Sequence, residues 1–139
     1  GLRNPKRIFS VGVKMPTKKI VDPASDGRQA VKNDVKRDEL ACSIYDILEC
    51  QEEQTKYIIL TMLDDIKLFD KKQHDYGPGN IAKFGEFGVL VRTNDKLERL
   101  INLNKRGDTP ANESVMDTWQ DLSVYGAIAR VVKQDQWKS

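Results

Sequence analysis

The stretch Asn112–Lys133, NESVMDTWQDLSVYGAIARVVK, decides the fold. It is long enough for about six helical turns and contains no proline. Asn112 is the expected cap and Glu113 the first-turn acid, where the helix dipole favours negative charge. At 100° per residue, Val115, Trp119, Leu122, Gly126 and Ala129 form one apolar stripe. Nearly opposite runs a second, in which Glu113, Asp117 and Asp121 are continued by Val124, Ile128 and Val131. Gln120, Ser123, Arg130 and Lys133 make a polar, solvated strip between the two. A helix that is apolar on two sides packs between neighbours, so this one requires other helices, and its three acids face inward.

Those neighbours are legible upstream. Apolar residues at three- and four-residue steps (Ile59, Met62, Leu63, Ile66, Phe69) predict a long helix from Glu52 to about Gln73. His74-Asp75-Tyr76-Gly77-Pro78-Gly79-Asn80 is expected to end it and form a loop. A further helix is expected from Phe87 to about Lys105, stopped by Gly107, and a short one over Asp38–Glu49. Short connections between such helices predict an all-α fold, an antiparallel helical bundle occupying residues 37–139. Residues 1–36 hold Pro5, Pro16, Pro23, Gly12 and Gly27 and lack a helical period. They are read as an irregular arm with a short β-type run at Ile8–Val13.

Charge is unevenly spread over the 139 residues. Residues 1–37 carry ten Lys/Arg against three acids, and the remainder thirteen against eighteen. A basic arm of this kind attracts phosphates, whether of nucleic acid or of a small ligand, and is equally compatible with a solvated terminus. There is no apolar run of membrane-spanning length and no secretory leader pattern, so a cytoplasmic location without membrane contact is expected (host cytoplasm if the protein is viral). Cys42 and Cys50, eight residues apart in an expected helix, would lie about 12 Å apart, too far for a disulfide. With a single histidine in the chain, a Cys/His zinc site is excluded, and any metal must be held by oxygen, as Mg²⁺, Mn²⁺ or Ca²⁺ are.

Glu113, Asp117 and Asp121 repel one another unless compensated. A divalent cation would do this, and so would lysines or arginines from a neighbouring helix. The preceding helix offers Asp95, Glu98 and Asn102 on one side, with Arg92 and Arg99 beside them, and Leu90, Leu97, Leu100, Ile101 and Asn104 on the other. The stretch Lys71-Lys72-Gln73-His74-Asp75-Tyr76-Gly77 gathers cations for phosphate, an aromatic for a base and another carboxylate, although each also suits a helix end or a turn. No Gly-rich phosphate loop, dinucleotide fingerprint or Ser/Cys nucleophile motif is present. Triphosphate chemistry in such a chain relies on carboxylate-bound metal and on Lys/Arg.

Several segments together carry a family resemblance. These are Lys72-Gln73-His74-Asp75-Tyr76-Gly77, Gly88-Val89-Leu90-Val91-Arg92-Thr93-Asn94-Asp95-Lys96, Arg99-Leu100, Asn112-Glu113-Ser114, Asp117-Thr118, Asp121-Leu122 and Tyr125. Over about the last half of the chain they resemble the phage-associated nucleotide modification domain. That domain is similar to the MazG-like all-α NTP pyrophosphatases, and within that group the chain looks closest to MazZ-type enzymes of phages that replace adenine by 2-aminoadenine. The superfamily pattern is Glu-Glu-x-x-Glu on one helix and Glu-x-x-Asp on the next. Asp95 and Glu98 match the first as metal ligands, and Glu113 and Asp117 stand where the second would be. Asn94 replaces an acid and the second pair is spaced by four, so the number of metal ions stays open and Asp121 or Asp75 could complete the shell. The resemblance implies Mg²⁺-dependent hydrolysis of a purine dNTP, dGTP first, between the α- and β-phosphates, with Mn²⁺ as a substitute. It implies Asp95 and Glu98 as catalytic acids, with Glu98 taking the proton of the attacking water. Lys72, Arg92, Lys96 and Arg99 would hold phosphates, while Asp75 and Tyr76 would shape the nucleoside pocket. A homodimer or homotetramer is implied. The competing reading is a helical nucleic-acid-binding module without catalysis, which explains the basic arm but not the inward acids.

Overall fold

Four α-helices account for the regular structure, and no strand occurs among the described residues. The computed structural model describes residues 27–107 and 109–139, and the side-chain surroundings from residue 34 onward. The helices are α1 (Gly27–Ile47), α2 (Gln54–Tyr76), α3 (Gly79–Arg106) and α4 (Val115–Lys133). The all-α expectation therefore holds. The β-type run at Ile8–Val13 and the first 26 residues of the expected arm lie outside the described residues. Residues 27–36, read as irregular, are instead the first turns of α1. They contain no proline, and Gly27 stands only at the end, so nothing in them breaks a helix.

The chain divides into two compact units between Thr61 and Met62, with α2 running through the division. In the first unit, α1 and the start of α2 form a hairpin. The Arg37 guanidinium donates to the Leu60 carbonyl at 3.0 Å, and the Lys56 ammonium lies 4.6 Å from the centre of the Tyr45 ring. Ala41 and Ile59 are buried there. Cys42 and Cys50 are not bonded to each other, although Cys50 lies beyond the end of α1 and not in one helix with Cys42 as expected.

The second unit consists of the rest of α2, α3 and α4. No breaker precedes Gly77, so α2 continues past His74 to Tyr76, and Gly77 then takes the left-handed conformation (φ 66°). Helix α3 begins at Gly79, earlier than the expected Phe87. Its single irregularity is Gly85, at φ 58° and ψ −152°, a conformation open essentially to glycine alone. The helix resumes immediately, and Phe84 is left so close to Gly88 that a Cβ there would sit 2.5 Å from the Phe84 Cβ. Gly107 ends α3 as expected, its N–H donating to the Leu103 carbonyl at 3.0 Å.

The N-cap of α4 is Ser114, not Asn112. The Asp117 N–H donates to Ser114 Oγ at 3.0 Å, while the Asp117 carboxylate accepts from the Ser114 backbone N–H. This reciprocal box satisfies two orphan donors, which Asn112 could not have done, the residue three positions on being Val115. Helix α4 runs antiparallel to α3, Lys96 pairing with Asp121 near one end and Lys133 with Glu86 near the other. Val89, Val124 and Ile128 form the core, with Phe69, Ile81, Tyr125 and Trp137 packed against it. Trp137 meets Phe69 edge to face at 6.2 Å and donates from Nε1 to the Pro78 carbonyl, fastening the chain end over the α2–α3 turn. The inward stripe of α4 is thus the one carrying Asp121, Val124 and Ile128, whereas Asp117, expected to face inward with them, is exposed because the Ser114 cap holds its carboxylate at the helix start. On the other stripe, Trp119 and Val115 remain exposed, as do Leu90, Leu97 and Ile101 on α3. No described helix is long and apolar enough to cross a membrane.

Candidate functional site

Asp121 is the most informative side chain of the second unit. It projects from the inward stripe of α4 and is 5% exposed. A carboxylate so placed is costly unless paired. Two lysines supply the pairing, one from each neighbouring helix. Lys72 of α2 approaches Oδ1 at 2.6 Å, and Lys96 of α3 approaches Oδ2 at 2.8 Å. Lys96 also reaches both carboxylate oxygens of Glu113, at 2.9 and 2.7 Å. Its three N–H donors are therefore all engaged, whereas Lys72 spends one on Asp121. Burial alone would raise the Asp121 carboxyl, but the hydrogen bonds and charges of Lys72 and Lys96 outweigh it and hold the group below its usual value. Burial likewise opposes the charged form of Lys96, and its bonds to Asp121 and Glu113 prevail and raise it. Of the two ways to compensate the acid stripe, lysines from neighbouring helices are the one realised for Glu113 and Asp121.

The bridge Lys72–Asp121–Lys96 borders two cavities. One, of about 250 Å³, is also lined by Gln73, Tyr76, Asn80, Arg92 and Tyr125. The other, of about 380 Å³, is lined by Glu113, Asp117 and Gln120 besides the bridge. The first pairs cations with rings and amides; the second is acidic. Arg92 lies one turn from Lys96 on α3, and Tyr125 one turn from Asp121 on α4, so charge gives way to aromatic and amide surface along the first cavity.

Of the residues singled out in the sequence, Lys72, Tyr76, Arg92, Lys96 and Asp121 share the first cavity. Arg99 lies elsewhere. Its guanidinium donates to Thr118 Oγ1 and to the Glu113 carbonyl, which ties α3 to the start of α4. Asp75 is exposed beside His74, 3.2 Å from its Nδ1, and lines neither cavity. Asp95 and Glu98 are exposed on α3 and line neither cavity. Glu113 and Asp117 do meet Asp121 at the second. Asp117 accepts from Ser114 Oγ at 2.7 Å in the capping box. Among the described residues, no three acids, histidines or cysteines approach closely enough to enclose a metal ion by themselves. Asp95 and Glu98 are thus not gathered with Glu113 and Asp117 at the second cavity. Gln73 and Asn80 were not singled out. Gln73 stands inside the Lys71–Gly77 cluster, but Asn80 reads as loop until α3 is seen to begin at Gly79.

Compared with protein-family models, curated proteins and solved structures, the chain matches none.

Proposed function

We propose that the protein is a (d)NTP pyrophosphohydrolase of the MazG-like kind, cleaving a purine dNTP, dGTP first, to the monophosphate and pyrophosphate. The observation that carries the reading is the first cavity, where three helices bring Lys72, Lys96 and Arg92 together with Tyr76 and Tyr125. Cations at one end suit phosphates, and rings at the other suit a base. Lys72 keeps donors for a phosphate, and Arg92 offers a planar fork. In a phage setting, the dGMP formed would serve nucleotide-pool remodelling or 2-aminoadenine DNA synthesis in the host cytoplasm.

Mg²⁺ in nucleotide sites is commonly held by one or two carboxylates together with substrate phosphates, not by a full protein cage. At the second cavity Asp117, whose other oxygen is not taken by the Ser114 cap, would serve in that mode, with Glu113 and Asp121 beside it held by the lysines. When bound, such an ion neutralises phosphate charge and lowers the pKa of a water. The chain's own part is to hold the triphosphate through Lys72 and Arg92 beside the bridge and to keep Asp121 ionised. The reading includes self-association as a dimer or tetramer, supported by an apolar groove of about 570 Å³ between Leu97, Ile101, Val115 and Trp119, with Leu97 and Trp119 clearly and Ile101 and Val115 marginally exposed.

The test is pyrophosphate release from a panel of dNTPs and NTPs with Mg²⁺ or Mn²⁺, repeated with EDTA. Metal-dependent release with a purine preference is expected. A folded protein that releases pyrophosphate from no nucleotide would refute the reading.

A further inference from the structure

We infer that Gln73 and Asn80 are the base-reading side chains of the first cavity, an inference that rests on the nucleotide reading of that cavity. The cavity has a charged end and an amide-bearing end. The antiparallel pairing of α3 and α4 fixes the lysine bridge at one end, at Lys96 and Asp121. Following α4 from Asp121 to Ile128 covers about 10 Å, at 1.5 Å per residue. That is comparable to the reach from a nucleotide's phosphorus to the far edge of its base. Asn80 and Ile128 both border this same cavity, whereas Gln73, which directly follows Lys72 on α2, borders it nearer the bridge. Anchoring phosphate at the bridge therefore carries the nucleoside past Gln73 and the base toward Asn80.

The chemistry of that end agrees. Neither the Gln73 nor the Asn80 side chain is bonded to another described residue, while each is half-buried. An amide offers a donor and an acceptor side by side, the pattern that matches the edges of nucleobases. Tyr76 and Tyr125 supply apolar faces beside them. Both amides stand on the short α2–α3 connection. Gln73 is in the last turn of α2, where its carbonyl accepts the Gly77 N–H at 2.8 Å, and Asn80 is in the first turn of α3. That turn is fastened by Trp137 through the Pro78 carbonyl at 3.1 Å, so the two amides are presented from an anchored segment. The bridge lysines, by contrast, read only charge, and every nucleoside triphosphate presents the same charge. Discrimination between bases falls to Gln73 and Asn80.

The experiment uses the full chain with Mg²⁺ and measures, by calorimetry, binding of the four dNTPs as α,β-imido analogues and of inorganic tripolyphosphate. Wild type is compared with Gln73→Ala, Asn80→Ala and the isosteric Asn80→Asp, each checked for native circular dichroism. The wild type is expected to favour one base by about tenfold or more, the worth of one good amide–base pair. Either alanine change should reduce that preference to about threefold or less and leave tripolyphosphate binding unaltered. Asn80→Asp replaces a donor–acceptor pair by two acceptors, so it should shift preference toward guanine, whose N1–H and N2–H are adjacent donors. Equal weakening of all four nucleotides, or unchanged selectivity in all three variants, overturns the inference. Base-selective binding that depends on Asn80 but is accompanied by no pyrophosphate release refutes hydrolysis and upholds the base site. Absence of binding by any nucleotide in the wild type overturns both.

Discussion

Replacing Lys96 by Met tests whether the lysine bridge organises the second unit. The Lys96 side chain is 21% exposed and that of Asp121 7%. Removing one partner of a buried pair costs about 3–5 kcal/mol, because the remaining charge is left uncompensated. Lys72 still holds one Asp121 oxygen, and Glu113 is near enough to solvent to be rehydrated, so we expect about 2–3 kcal/mol. With a urea slope of about 1–3 kcal/mol/M, the midpoint followed by far-UV circular dichroism should fall by about 1–2 M at pH 7. The double variant Lys96→Met/Asp121→Asn should recover at least about 1 kcal/mol, since it no longer buries an unpaired carboxylate. The pH dependence follows from the lowered Asp121 pKa. A depressed carboxyl contributes stability that is fully present above its unfolded value, about 3.9, and is lost as pH falls through the folded value. The gap between wild type and Lys96→Met should therefore be full at pH 7 and smaller near about pH 3.5. A loss below about 0.5 kcal/mol at pH 7, or a double variant no more stable than the single, would refute the bridge as a stabilising element.

Further outcomes follow from the helix ends and glycines. Ser114→Ala removes the N-cap acceptor of α4 and should cost about 1 kcal/mol in thermal or urea unfolding. Gly88→Ala forces a Cβ against Phe84 and should cost about 1–3 kcal/mol, whereas Gly126→Ala, which meets open space within α4, should stabilise by about 0.5–1 kcal/mol. The opposite signs can be read from one set of urea curves. In the enzyme reading, Lys72→Met should raise KM for a dNTP by about tenfold or more with the fold intact, the loss of one charge-assisted phosphate contact.

Local signals carried much of the fold. The three- and four-residue steps in Ile59–Phe69, the Gly77-Pro78 and Gly107 punctuation and the second stripe of α4 each express short-range geometry, and each is realised in α2, α3 and α4. Boundaries failed where a residue's role depended on its surroundings. Helix α3, expected from Phe87, begins at Gly79, since Gly85 alone takes a positive φ and interrupts the helix without ending it. Asn112 and Ser114 are both good caps, and the choice fell to the one with an acid at N3.

The sequence alone determined that the described chain is helical and that Asp121 faces inward, because helix period and residue chemistry act over a turn or two. Only the tertiary structure decided which cations meet that acid, where Asp95 and Glu98 point, and that Gln73 and Asn80 share a cavity with Lys72 and Tyr125. Those outcomes depend on how three helices cross. A crossing is set by the packing of Val89, Val124 and Ile128, which are distant in the chain and become neighbours only in the folded core.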